Sequence, residues 1–417
     1  MIISRVFTFC FLLIVTQGFS QLSAALADWY PQPVTQHWPL NGKWEFYPNE
    51  LLSIDQVARV APRQYKEVPA WWSNPADSAA VRYATYRLRI VLPRSLKKQG
   101  LAISMPAVLS AYDLWVNGIL IGQNGIVGVT KQSASPQWRP STYTFTTAKD
   151  TLEIVLHIAN FHHARTGIQE SILFGTADQL TKKKTHIELL NTILLMGLVI
   201  LSIGAFIFYK VYRKKGMLLY ALFCLSWAFR AAFSNHYQFI QWFPDFSWVI
   251  AVKIEYITIY LSTFLGCLLM VHLFPRDVDN KVFPRFILGA CTFFTLFTLA
   301  TPPVIFTQFV QLYTALSVLL LIGILAILVR CYMRNRRGSE IITLAAFLAV
   351  IIFGYVILAY EGVFELNVVV YNIAFLFLYA FIGLAVSIRL NKMLSVREYT
   401  DVLTYDELIT ANSWDAK

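Results

Sequence analysis

Nine residues between Trp71 and Arg165 combine the two side-chain classes that bind a sugar in water. Aromatic faces cover the apolar face of a ring, while amides, imidazoles and guanidiniums pair with its hydroxyls. They are Trp71, Trp72, Asn124, Trp138, Arg139, Asn160, His162, His163 and Arg165, and they fall in segments that read as loops or strand ends. A core tryptophan or a turn-holding amide explains any one of them better, so the expectation rests on the set.

The same stretch offers little to a catalyst. His162 and His163 invite a metal, but neighbours in a strand point to opposite faces, and no cysteine or second histidine cluster lies nearby to complete a site. Glycoside hydrolysis needs two facing carboxylates about 5 to 10 Å apart. Asp113, Asp150, Glu153 and Glu170 are scattered, so binding without hydrolysis, metal or cofactor is expected. A second polar feature stands apart. Arg230 and Glu255 lie in apolar segments at matching depths and are predicted to form an interhelical ion pair, read either as a static pair or as a latch that a ligand resets.

The elements that must hold these groups divide between two solvents. The 417 residues are 57% hydrophobic and 14% charged, with a mean hydropathy of +0.53. The long apolar runs follow Leu189, whereas Asp28 to Lys184 is mixed and rich in turn residues. The net charge of +11 sits in short clusters beside apolar segments rather than on an interleaved patch, which argues for membrane topology and against nucleic acid. A basic start (Met1 to Arg5), a short apolar run (Val6 to Val15) and Ala25-Leu26-Ala27 read as an export signal, residues 1–27, with the mature chain beginning at Asp28. Cys10 belongs to that signal. Cys224, Cys267, Cys291 and Cys331 lie in or beside apolar helices, so the exported domain folds without disulfides.

Strands are predicted over Tyr83 to Leu92, Leu101 to Met105, Ala111 to Val116, Thr142 to Thr146 and Leu152 to Ala159, an antiparallel sandwich within residues 28–186. Asn117-Gly118 supplies the two-residue hairpin turn between the third of these and Ile119 to Gly122. Seven apolar stretches, Leu189 to Tyr209, Met217 to Phe233, Ile254 to Phe274, Phe286 to Val304, Phe309 to Val329, Ile341 to Tyr360 and Val368 to Ile388, have the length of membrane-crossing helices. Alternate connections carry Lys210, Arg213, Lys214 and Lys215; Arg276, Lys281 and Arg285; and Arg330, Arg334, Arg336 and Arg337. The intervening loops Ser234 to Ser247, Ile305 to Gln308 and Glu361 to Asn367 have no Lys or Arg, which places the sandwich outside and residues 389–417 inside the inner membrane. Tyr237, Trp242, Phe243, Phe246 and Trp248 crowd the first of those loops, as an interfacial belt or as a docking surface for the sandwich.

Four stretches carry a family resemblance: Leu40-Asn41-Gly42-Lys43-Trp44-Glu45-Phe46-Tyr47, Ala84-Thr85-Tyr86-Arg87-Leu88, Ser110 to Gly128, and Asn160-Phe161-His162-His163. Followed by seven spans, they resemble bacterial seven-transmembrane receptors with diverse intracellular signalling modules. The resemblance implies a jelly-roll, galactose-binding-like sandwich that recognises a small molecule, a saccharide among the candidates, outside the membrane. Thr400-Asp401-Val402-Leu403-Thr404 is similar to the D-x-L-T opening of a diguanylate cyclase, but the expected Gly-Leu and Asn-Arg do not follow. The 389–417 tail is therefore read as a remnant of a cyclase start, or as the end of a stand-alone sensor that acts on a separate cytoplasmic protein, and not as an enzyme. Val386, Met393, Val396, Thr400 and Leu403 lie near a heptad seam suited to a homodimer. A membrane-anchored binding protein or transport accessory is the alternative to the receptor.

Overall fold

A computed structural model describes residues 37–73, 81–97, 99–234, 236–275, 277–278, 282–336, 338–360, 363–364 and 366–414, with backbone alone at 72–73 and beyond 391. The export signal and its cleavage site lie outside these residues, as do the side chains of the D-x-L-T segment.

The described residues of the first half form twelve strands: β1 (Trp38–Pro39), β2 (Gly42–Pro48), β3 (Gln64–Val68), β4 (Ala70–Ser73), β5 (Tyr83–Val91), β6 (Leu101–Met105), β7 (Ala111–Val116), β8 (Ile119–Asn124), β9 (Ser141–Phe145), β10 (Thr151–Ala159), β11 (Thr166–Ile168) and β12 (Leu173–Thr176). They pair antiparallel as a six-stranded sheet, β3-β2-β5-β10-β7-β8, a four-stranded sheet, β1-β12-β6-β9, and the short β11-β4 ribbon. The five strands expected from alternation are all present, shifted at their ends by no more than a residue.

β10 shows why the sequence folds this way. Leu152, Ile154, Leu156 and Ile158 are fully buried and pack with Tyr86, Leu114, Leu101 and Ile103 between the two large sheets. The alternate residue Val155 turns to the other face, where Tyr47 and Trp115 pack with Val57 of a short helix, Ile54–Arg59. On that face Arg87 donates to Glu153 (2.5 Å), to Glu45 (3.2 Å) and to the Val57 carbonyl (3.2 Å). Asn117 and Gly118, at φ 50° and 90°, make the expected hairpin turn between β7 and β8.

Among the described residues, the second half has seven helices long and apolar enough to cross a membrane: α1 (Ala177–Tyr212), α2 (Lys215–Phe233), α3 (Trp248–Leu273), α4 (Val282–Ala300), α5 (Val310–Met333), α6 (Ser339–Tyr360) and α7 (Val368–Trp414). Neighbours in sequence pack against one another, and α7 returns to α1 and α2. There Tyr220 on α2 donates to the Tyr379 carbonyl of α7 (2.7 Å), and a side chain at Gly383 would collide with the Tyr220 ring. α1 starts twelve residues before its predicted span. Thr176 caps it directly after β12, and the polar first turns, with Lys182 paired to Asp178, carry the helix through water before its apolar stretch begins.

Leu156 sits mid-strand in the fully buried layer, so Leu156→Ala is expected to destabilise the sandwich by about 2 to 5 kcal/mol. Chemical denaturation followed by tryptophan fluorescence measures this.

Candidate functional site

β10 ends at Ala159, and the next residue builds the turn that faces the helices. The buried Asn160 amide donates to the carbonyls of His163 (3.1 Å) and Arg165 (2.8 Å) and to the Thr166 hydroxyl (3.0 Å). Its oxygen accepts from the main-chain N–H of His162 (3.2 Å) and His163 (2.9 Å). His162 and His163 therefore lie in a turn, not in a strand as the alternating-face argument assumed, and both rings meet tryptophans at the helix end: His163 with Trp138 (5.7 Å between centroids), His162 with Trp248 (6.3 Å).

The His163 ring is 1% exposed. Its Nδ1 faces both main-chain groups of Arg165, the N–H at 3.1 Å and the carbonyl at 3.2 Å, and Nε2 has no partner. Burial disfavours the imidazolium and pulls the pKa down to about 4. Trp138, 2% exposed, lies between that ring and two aromatics of the helical half, Tyr237 (4.9 Å) and Trp248 (5.6 Å), and its indole N–H is also unpartnered.

Hydrogen bonds clamp the two halves around this ring cluster. Asn124 on β8 donates to the Gln137 carbonyl (3.0 Å), and Gln137 donates to the Pro244 carbonyl (2.8 Å). Gln241 returns a bond to Pro140 (3.3 Å), and the Ala164 N–H donates to the Thr307 hydroxyl (3.1 Å). The Arg165 guanidinium lies over the rings of Trp71 (5.3 Å) and Tyr360 (4.4 Å) and donates to the Tyr360 carbonyl (3.5 Å).

Five of the nine predicted residues, Trp71, Trp138, His162, His163 and Arg165, thus converge where the sandwich meets the helices. Asn124 and Asn160 brace the segments that carry them. Arg139 is half-buried beside this cluster, with its carbonyl accepting from Ser141 (3.2 Å). Trp72 follows Trp71 on β4, and its side chain is outside the described residues. Tyr237 and Trp248 act as the docking surface offered by their aromatic loop. Thr307 and Tyr360 carried no sequence signal, since nothing about a lone Thr or a helix-end Tyr names its partner.

Beneath the junction lies a cavity of about 860 Å³. Trp71, Trp138 and His163 form its roof, and Arg230, Trp227 and Glu255 line its upper wall. Arg230 donates to the main-chain carbonyl of Glu255 (3.2 Å) and stacks near Trp227, while Glu255 Oε2 has no partner. The two residues are neighbours as expected, but the contact is a hydrogen bond to a carbonyl in place of the predicted carboxylate pair. Among the described residues, no group of three or more His, Cys, Asp and Glu could hold a metal ion.

Residues 187–390 match the family model for 7TM diverse intracellular signalling. None of the curated proteins compared with the chain matches it. Solved structures similar to its first half include β-glucuronidases from Bacteroides uniformis (14% identity, 33% of this chain and 17% of that one, TM-score 0.26) and Ruminococcus gnavus (12%, 36% and 31%, TM-score 0.26). A third is from Faecalibacterium prausnitzii (16%, 35% and 32%, TM-score 0.25). The chain spans a third or less of the length of these enzymes.

A histidine whose folded pKa lies below its unfolded value of about 6.5 stabilises the fold fully above pH 6.5, and that contribution is lost as pH falls toward 4. Wild type is therefore expected to lose more thermal stability than His163→Gln between pH 6.5 and 4. The other histidines titrate alike in both proteins, so the difference between the two melting curves isolates His163.

Proposed function

Because this chain carries the seven-transmembrane domain of the diverse-intracellular-signalling receptors, we propose that it is a sensory receptor read out by how the sandwich sits on the helices. The observation that carries this is the clamp itself: one turn, residues 160–166, touches the start of α3, the connection after α4 and the end of α6 through Trp248, Thr307 and Tyr360. A ligand entering the roof between Trp71, Trp138 and His163 bears on all three at once. By its differential affinity for two arrangements of the clamp, it shifts the population of helix positions.

The three connections free of Lys and Arg are those that face the sandwich, which supports a sandwich outside an inner membrane and a cytoplasmic α7 terminus. Trp71 and Trp138, two of the expected sugar-binding aromatics, are turned toward the helices, so an extracytoplasmic ligand, a saccharide included, acts at the junction and not on an open face. At the far end Asp277, between α3 and α4, accepts from Arg334 (3.1 Å) and Arg336 (3.0 Å). Arg389 on α7 donates to the Leu273 carbonyl (3.4 Å) and covers Phe274. This cluster ties α7 to the other connections at its exit. Beyond Asn391, α7 continues for roughly 35 Å at 1.5 Å per residue, enough to reach a cytoplasmic partner or a second copy of itself.

Arg165→Ala removes one arm of the clamp. Spin labels at Tyr332 and Asn391 are expected to show their separation shifting by about 2 Å, the scale of helix displacement in switching proteins. An unchanged separation would contradict the receptor and leave a membrane-anchored binding protein.

A further inference from the structure

The cavity under the junction is polar at its roof and mostly apolar along its shaft. Two roof atoms lack partners, the donor Nε1–H of Trp138 and the Nε2 of His163, on side chains no more than 2% exposed. Glu255 Oε2, on the upper wall, is an acceptor without a partner. A buried donor or acceptor keeps its full desolvation cost until something pairs with it, and here three such atoms meet at the top of a single space.

Below the roof the lining is mostly apolar, interrupted by the unpartnered hydroxyls of Tyr313, Ser317 and Tyr379. On α6 it runs from Tyr360 down to Ile342, five turns or about 27 Å, close to the roughly 30 Å of a bilayer's hydrocarbon core. Leu321 and Ile324 of α5, Ala349 of α6 and Val386 of α7 belong to this shaft. The volume falls within the range of small-molecule sites, but a compact ligand held at the roof would leave the length of the shaft unfilled. A long apolar chain fills it. At the roof Arg230 and Glu255 present opposite charges, so a charged head of either sign meets one like charge.

We propose that this cavity binds a neutral single-chain amphiphile, an acyl ester or amide with a free hydroxyl or N–H. Its carbonyl oxygen accepts from Trp138, its polar head packs against His163, its hydroxyl or N–H donates to Glu255, and its chain descends the shaft. This deepens the receptor reading by naming the class of ligand that loads the clamp.

The test uses the full chain in lipid nanodiscs and 1-monooleoylglycerol bearing a diazirine on its acyl chain, with photolabelled positions mapped by mass spectrometry. Label is expected on the shaft residues Leu321, Ile324 and Ala349. It should be competed by unlabelled 1-monooleoylglycerol, reduced at least fivefold in Ala349→Trp and weakened in His163→Phe. Leu319 and Ile322, exposed on the opposite face of α5, report the bilayer background. Label confined to those two positions, or shaft label that excess competitor leaves unchanged, would overturn the site even if neither variant folds. Competition by oleate as strong as by 1-monooleoylglycerol would overturn the neutral head. The receptor reading fails separately: competed shaft label with a Tyr332–Asn391 separation unmoved by 1-monooleoylglycerol supports the site and overturns the signal.

Discussion

The packing of Trp138 between His163 on one side and Tyr237 and Trp248 on the other is the contact on which the two halves of the molecule depend. A water-soluble sandwich and a lipid-solvated bundle have no shared core, and aromatic rings suit such a joint because one face can be apolar while the edge carries a hydrogen-bonding atom. Around the rings, hydrogen bonds run in both directions, from Gln137 to Pro244 and from Gln241 to Pro140. The joint therefore has a fixed register as well as an apolar centre.

Two asparagines make that joint rigid. Asn160 satisfies five groups of a turn that has left the ladder of β10, and Asn124 ties β8 to the segment carrying Trp138. Without them the aromatic end of the sandwich would be a set of loops, and its position could not bias the helices. From the junction, coupling can pass through packed contacts in two ways: along the cavity wall, where Arg230 bonds α2 to α3 through the Glu255 carbonyl, and along α7, held to α2 by the Tyr220 hydroxyl where Gly383 lets it approach. Both lead toward the Asp277–Arg336 cluster beside Arg389 at the opposite end.

Much of the architecture was legible in the sequence because it depends on periodicity. The alternation in Leu152 to Ala159, the Asn117-Gly118 turn and the seven apolar runs each follow from a local pattern with a local physical cause. The candidate site was legible as a set of residue types but not as a surface. Trp71, Trp138 and Arg165 have the composition of a sugar site, and only tertiary structure shows that their partners are Tyr237, Trp248 and Tyr360. The Arg230–Glu255 expectation shows the same limit. Matching depth brought the two residues together, yet a guanidinium beside a helix can take a main-chain carbonyl, and charge alone does not decide between that and the carboxylate. The early start of α1 escaped because Lys182, Lys183 and Lys184 read as the end of a domain, when they form the solvated first turns of a helix capped by Thr176.

The account's central claim is that residues 160–166 are docked on the helices. Hydrogen exchange of the full chain in nanodiscs tests this most directly, through the Ala164 amide that donates to Thr307. The account predicts that Ala164 exchanges as slowly as the amides of β10, far behind the exposed loop at Thr130 to Ser133. Exchange of Ala164 at the rate of that loop would mean that the sandwich is not seated on the bundle, and would contradict the claim.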